Sequence, residues 1–497
     1  MTLARKIALN MIFQIIGKMI YFGLSIVIII LITRDFGVNG YGTYNIILVY
    51  LSLFGVVADF GLQVLLSREI ANNKNYHHRF RAILGLRITS TIIFFLLSFL
   101  LLFVLPYDLI IKKGILIYSI GMFFYMLNNL IFAFFQNRIE VYKNSIAEVI
   151  GRIIVLIGVV ILIKLNLGIL WVIWASVLGM VIGFFINYGF ILKKFFLYPV
   201  IDFKIWKAVL KDAIPLAIVF VLYTLFFQID SFLLSIISIK NVVFEFLKGM
   251  TNTQAVGIYG VAFRIITVAM TFPAIFMTLL FPFISRFVKN HDIKGLRRYF
   301  QYSIDFSLLL ALPLMVIGVI IAPQIVFLIA GKEFIASVLP FRIWFLSLPF
   351  IFLFSATGYI FMAYNYQKKL ILSYVFYLVF NIVLNLVLIP YFSYLGAAVA
   401  TFLTEILVVL VNFHLIKKYF NLRVSGKKIS KQLIAIIPSA TVVYLIALKF
   451  SKGLNIFQTV ILTVICILLA YIVFLFVLYL LKGIDQRQIK KVFAKSD

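Results

Sequence analysis

The sequence predicts an all-α polytopic membrane protein of about fourteen transmembrane helices, and three observations carry that prediction. Hydrophobic residues make up 64% of the 497-residue chain and charged residues only 12%. Apolar runs of about 20 residues, enough to cross a bilayer as a helix, recur from end to end. Finally, 31 of the 45 Lys and Arg residues fall in alternate connections, and 9 fall in the intervening set. Positive charge is retained on the inner side, so this bias predicts a multi-pass protein of the cell (cytoplasmic or inner) membrane with both termini in the cytoplasm.

The elements follow in order. The first six spans are expected near 11–33, 43–66, 83–105, 114–136, 145–164 and 167–192, an N-terminal lobe occupying 1–192. The first span follows Arg5 and Lys6 but outruns a signal-peptide core and shows no small-residue cleavage pattern, so it is expected to be retained. Residues 193–212 mix Lys193, Lys194, Lys204, Lys207 and Lys211 with Phe195, Phe196, Phe203, Ile205 and Trp206. That pattern predicts a basic amphipathic linker lying on an anionic leaflet. A C-terminal lobe over 213–416 holds spans near 213–239, 254–284, 300–322, 337–361, 369–389 and 394–416, the second of them long enough to be tilted or broken. A loop and two further spans, near 431–449 and 455–481, fill 417–481, and a basic tail follows at 482–497.

The net charge of +29 is thereby topological, which argues against a nucleic-acid partner. No connection is long enough to fold as a catalytic domain, and no GxxxxGK[ST] phosphate loop is present, so neither an enzyme nor an ATP-driven pump is expected. Cys466 is the one cysteine and cannot form an intrachain disulfide. No cofactor is expected beyond a coupling ion, Na+ or H+.

Gly42-Thr43-Tyr44 opens span two and Gly257-Ile258-Tyr259 opens span eight, with Arg68 and Arg286 near the far ends. An even number of spans per half makes such repeats parallel, related by an axis along the membrane normal. Of eleven prolines only Pro106 and Pro199 precede residue 212, while Pro215, Pro273, Pro313 and Pro349 interrupt spans seven to ten. The C-terminal half is therefore expected to bend more.

Lys18, Arg87, Arg152, Arg264 and Arg342 lie within apolar runs. A charge at the bilayer centre costs roughly 2.5–3.5 kcal/mol on insertion scales, so such residues mark a wet cavity or a partner. Lys18 belongs to a polar stripe with Asn10, Gln14, Tyr21 and Ser25, and Arg264 shares a face with Gly260, Thr267 and Thr271. Glu148 precedes Arg152 by one helical turn, the spacing of an intrahelical ion pair. Arg87 and Arg342, near span ends, are expected to snorkel. On span four Tyr118, Tyr125, Asn129 and Gln136 form a polar-aromatic stripe suited to sugar rings. Asp230, Asn381, Asn385, Thr401 and Glu405 put oxygen donors on three apolar spans. Interhelical hydrogen bonding would also account for these amides and hydroxyls.

Gly40-Tyr41-Gly42-Thr43-Tyr44, Ala58-Asp59-Phe60-Gly61-Leu62, Arg68-Glu69-Ile70-Ala71 and Val256-Gly257-Ile258-Tyr259-Gly260 resemble the corresponding segments of Wzx-type polysaccharide flippases. That superfamily, MOP, also holds the MATE exporters and the lipid II flippase. The resemblance implies a V of two six-helix lobes plus two C-terminal helices, alternating access, and outward transfer of a polyprenyl-diphosphate-linked oligosaccharide. It implies membrane lipids and other polysaccharide-assembly membrane proteins as partners. By the same resemblance Lys18 and Arg264 occupy positions of cavity cations that meet the diphosphate; Arg152, Asp59 and Arg342 are further candidate cavity residues from their place as charges in apolar runs. The lipid II flippase uses an arginine on its second helix, where this chain offers Asn45, Ser52, Asp59 and Gln63. Asp230, Asn381, Asn385 and Thr401 match its sodium site, except that Asn385 stands in place of a carboxylate. Spans thirteen and fourteen match the pair that forms a groove for the lipid tail. The competing expectation is a MATE-like, cation-coupled exporter of small organic molecules, kept open by Asp59, Asp230 and Glu405.

Overall fold

A computed structural model of the chain describes residues 3–72, 76–239, 242–364, 366–449 and 456–483. The basic tail lies outside the described residues from 484 onward, as do Lys240 and Lys452. Every regular element among the described residues is helical, and twelve helical stretches are long and apolar enough to cross a membrane.

Two of these stretches are far longer than one crossing. Helix α1 (Leu3–Asp59) is broken where Gly37 adopts φ 59°, a backbone region that glycine enters without steric cost. Helix α13 (Gln367–Phe420) is broken at Ser393, φ 51°. Each has the length for two crossings of about 20 residues. The end of α1 differs from the expected span at 43–66. Phe60 and Gly61 take φ values of 46° and 65°, so the helix stops at Asp59 and restarts as α2 (Leu62–Asn72). The long eighth span is broken as expected, into α8 (Asn252–Ala269) and α9 (Thr271–Lys289). Pro273 sits in the first turn of α9, where a missing N–H is tolerated.

The chain divides into two compact units, Met1–Gly260 with Tyr374–Ser393, and Val261–Ser373 with Tyr394–Asp497. In the first unit, α3 (Tyr76–Leu101), α4 (Leu109–Asn137), α5 (Val141–Lys164) and α6 (Ile169–Leu192) surround α1, with α4 and α5 both packed on α6. A core of Leu62, Phe80, Ile83, Leu130, Phe134 and Ile191 joins α2, α3, α4 and α6. The amphipathic linker enters this core: Trp206 is buried and donates its indole N–H to Ala82 O at 2.8 Å. Residues from Phe203 onward already belong to α7 (Phe203–Ile236). Asp202 caps that helix by accepting from the N–H groups of Lys204 and Ile205, each at 3.0 Å. The Ile205 amide and then His78 opposite hold its carboxyl below the ordinary carboxylate range.

In the second unit α10 (Ile293–Ile320) packs on α9 and α12 (Val338–Ala363), preceded by a short helix α11 (Ala322–Ala330) that hydropathy did not reveal. Helices α14 (Gly426–Lys449) and α15 (Ile456–Leu480) pack on each other and on α10. Lys428 Nζ reaches Asp305 at 3.2 Å, and Tyr471 donates to Leu310 O at 2.9 Å.

Candidate functional site

Two polar centres lie in the first unit. The first is built on the α1–α5 contact. Gly17 permits the close approach, because a Cβ there would sit 2.7 Å from Ser145 Cβ. One residue on, Lys18 Nζ donates to Glu148 Oε2 at 2.8 Å. Glu148 Oε1 accepts from Asn144 Nδ2 at 2.9 Å. Asn144 Oδ1 in turn accepts from Asn187 Nδ2 at 2.9 Å, and Asn187 also donates to Asn128 Oδ1 at 2.8 Å. The amide end of this chain is sealed, with Asn187 at 0% and Asn144 at 3% exposure. The cationic end is open: the Lys18 side chain is 42% exposed, that of Glu148 24%. Arg152 donates to the Tyr21 hydroxyl and lies 4.4 Å from that ring's centroid, while Lys18 Nζ lies 5.6 Å from it. The ring thus holds two cations by their attraction to its face.

The second centre is dry. Asp230 Oδ1 accepts from Asn385 Nδ2 at 2.7 Å, and Oδ2 accepts from the Tyr259 hydroxyl at 2.8 Å. Asn385 Nδ2 also meets Asn381 Oδ1 at 3.0 Å. Asp230, Asn381 and Asn385 are buried, and Asn385 Oδ1 has no hydrogen-bond donor. Asp230, Asn381 and Asn385 thus carry the side-chain oxygens that a hard monovalent cation would take there. Among the described residues no group of three or more His, Cys, Asp or Glu side chains could hold a metal ion. Thr401 and Glu405, expected near this centre, are buried residues of the second unit.

The architecture and both centres can be set beside known proteins. A family model described as "Polysaccharide biosynthesis protein" matches residues 7–288, and one described as "Lipid II flippase MurJ" matches residues 154–468. The chain belongs to the polysaccharide-biosynthesis family and, over residues 154–468, to that of the lipid II flippases. A solved lipid II flippase MurJ in an inward closed conformation shares the fold, with a TM-score of 0.75, 16% identity, and coverage of 94% of this chain and 99% of that one. An inward-facing multidrug-resistance MATE transporter aligns with a TM-score of 0.65 and 14% identity over 80% of this chain and 95% of its own. An outward-facing MATE transporter gives 0.57 and 15% over 84% and 94%. No curated protein sequence matches the chain.

In this flippase the remaining sequence-predicted residues separate clearly. Arg87 does not snorkel. It is fully buried, donating to Met126 O at 3.1 Å, to Ala58 O at 3.3 Å and to the Asp59 carboxylate. Asp59 also accepts from Gly61 N at 3.1 Å, so the pair locks the helix break at Phe60–Gly61. Arg152 does not pair with Glu148 as the spacing predicts, because Lys18 has taken that carboxylate. Arg342 Nε donates to Val319 O at 3.0 Å. The Arg264 guanidinium, partly buried on α8, has no hydrogen-bond or ion-pair partner among the described residues. On α4, Tyr118 is buried and Tyr125 is 44% exposed. Gln136 lines a different space, a cavity of about 300 Å³ with Gln63, Ser67, Arg68 and Asn137.

Sequence reasoning missed Tyr259 as a partner of Asp230, although it stands in the repeated Gly-x-Tyr motif. It also missed the asparagine relay. Asn128, Asn144 and Asn187 are amides in apolar helices, a signal that was legible but gave no pairing.

Proposed function

We propose that the chain translocates a polyprenyl-diphosphate-linked oligosaccharide from the inner to the outer leaflet by alternating access. The observation that carries this reading is the pairing of exposure with charge at Lys18. An ammonium in a membrane-spanning helix remains 42% exposed, with a second cation, Arg152, sharing the same tyrosine ring. Such an arrangement suits a ligand with several anionic oxygens, since Arg binds them as a fork and Lys as a point charge. Membership of a polysaccharide-biosynthesis and flippase family supports a lipid-linked substrate. The exposed, aromatic Tyr125 is the residue of the α4 stripe best placed for a sugar.

Fourteen crossings in two six-helix lobes plus α14 and α15, with both termini cytoplasmic, is the topology this reading uses. Asp230, Asn381 and Asn385 are its coupling group, holding Na+ or taking up H+. Lipids and other polysaccharide-assembly proteins are its partners. Export of organic cations by a MATE-like route is less well supported, because the Asp59 and Glu148 carboxylates are already matched by Arg87 and Lys18.

The test is flipping of a fluorescent polyprenyl-diphosphate-linked N-acetylglucosamine in proteoliposomes. Lys18→Ala and Arg264→Ala should each slow transfer at least tenfold without lowering the melting temperature. Native rates in both variants would overturn the reading.

A further inference from the structure

The Lys18–Glu148 pair has a property that the Arg87–Asp59 pair lacks. Arg87 is wholly buried, and its guanidinium is also held by two carbonyls, so no ligand can reach it. Lys18 and Glu148 are both partly exposed and meet through a single contact, Nζ to Oε2 at 2.8 Å. The other carboxylate oxygen is anchored independently to Asn144 at 2.9 Å, and Asn144 is anchored to buried Asn187. If an anion takes Lys18, Glu148 therefore stays where it is, still hydrogen-bonded through Oε1. Arg152, one turn further along the same helix, is not consumed by Glu148 and is oriented toward the same tyrosine.

We propose that Glu148 is the resting counter-ion of Lys18, an internal anion that the substrate's diphosphate displaces, with Asn144 and Asn187 as positioning residues that hold the carboxylate in place for the exchange. This inference rests on the head-group role proposed for Lys18.

The physical gain is in the return of the empty carrier. A lone ammonium in a low-dielectric passage is costly, while a paired one is much less so. With Glu148 in contact, Lys18 is compensated when no substrate is present and becomes available when a stronger anion arrives. A diphosphate can win the exchange because it offers more negative oxygens than one carboxylate and engages Arg152 as well. The same competition holds affinity down, which favours release after transfer. Removing the internal anion should therefore tighten binding, whereas removing an ordinary structural contact would weaken it.

The experiment measures binding of farnesyl diphosphate to the detergent-solubilised full chain, with uncharged farnesol as control and the melting temperature of each variant recorded. Glu148→Gln should bind farnesyl diphosphate roughly two- to fivefold more tightly, the scale of one partly exposed ion pair removed from competition. It should leave farnesol binding unchanged. Lys18→Ala should weaken diphosphate binding, and Lys18→Ala combined with Glu148→Gln should show no gain. Asn144→Ala, which loosens the carboxylate without removing it, should give a smaller change in the same direction as Glu148→Gln. Unchanged or weaker diphosphate binding by Glu148→Gln, with Lys18→Ala still impaired, overturns the counter-ion role and leaves the head-group reading standing. Native affinity in Lys18→Ala overturns both.

Discussion

At the scale of single residues, the two ion pairs of the first unit obey different rules. Lys18–Glu148 is partly exposed, and such a pair contributes at most about 1 kcal/mol to stability. Arg87–Asp59 is asymmetric, with side-chain exposures of 0% and 25%. Removing Arg87 leaves a carboxylate that can rehydrate. Neutralising Asp59 leaves a guanidinium with no exposed surface and only carbonyls for company. A stranded buried charge typically costs about 3–5 kcal/mol. Asp59→Asn should accordingly lower the melting temperature in detergent more than Arg87→Met does, although the asparagine is nearly isosteric. Equal losses would mean that Asp59 acts on the helix break through Gly61 N and not through the charge of Arg87.

At the scale of elements, the repeated Gly-x-Tyr motifs turn out to be a contact and not only a symmetry mark. A Cβ on Gly42 would lie 2.0 Å from Thr253 O, and one on Gly257 would lie 2.4 Å from Val38 O. The start of α8 thus crosses α1 backbone to backbone, as small residues allow in membrane helices. Three residues beyond Gly42, Asn45 Nδ2 donates to Val256 O at 3.4 Å across the crossing. Gly257→Ala should cost about 1–3 kcal/mol of overpacking, since the clashing atom is a carbonyl and not a flexible side chain. It should also slow flipping, because Tyr259 and its bond to Asp230 lie half a turn away. Denaturation of the variant and its transport rate check both. Hydropathy made the apolar elements legible, because each needs about 20 apolar residues whatever its packing. Breaks were legible where an apolar run ended or a proline interrupted it. The breaks at Gly37 and Ser393 fall in the gaps expected between spans, 33–43 and 389–394, and Pro273 marks the one in the eighth span; the break at Phe60–Gly61 was not foreseen, since the second span was drawn through it to 66. The candidate site was legible as residue types, because charge and amide groups stand out in apolar helices. Its pairings were not. Helical spacing offered Glu148 to Arg152, and the α1–α5 approach at Gly17 gave it to Lys18 instead. Local periodicity carries no information about which neighbouring helix arrives at a given level.

At the scale of the whole molecule, the proposed function raises the question of how charge would move with a diphosphate head group. Each net negative charge carried outward across an inside-negative membrane gains roughly 2.3 kcal/mol per 100 mV, which is about a 50-fold shift in the outer-to-inner ratio. If Lys18 and Arg152 travel with the head group, the cations offset part of its charge and the effective number moved is smaller. Under the proposed function the buried Asp230 centre would be a separate lever, since a cation taken up there would change the charge of the returning carrier. The two contributions can be separated in proteoliposomes carrying the fluorescent lipid-linked sugar. A potassium diffusion potential of defined size should shift the steady-state ratio, and reversing its sign should reverse the shift. A sodium or proton gradient imposed at zero potential should accelerate transfer by the native chain. Asp230→Asn keeps a hydrogen-bond acceptor for Tyr259 and removes the charge, so it should abolish the response to the ion gradient and preserve the response to potential. Insensitivity of the native chain to potential would show that the head group crosses fully neutralised by the protein. Loss of both responses in Asp230→Asn with a native melting temperature would make that residue part of the translocation step itself and not of the ion-driven return.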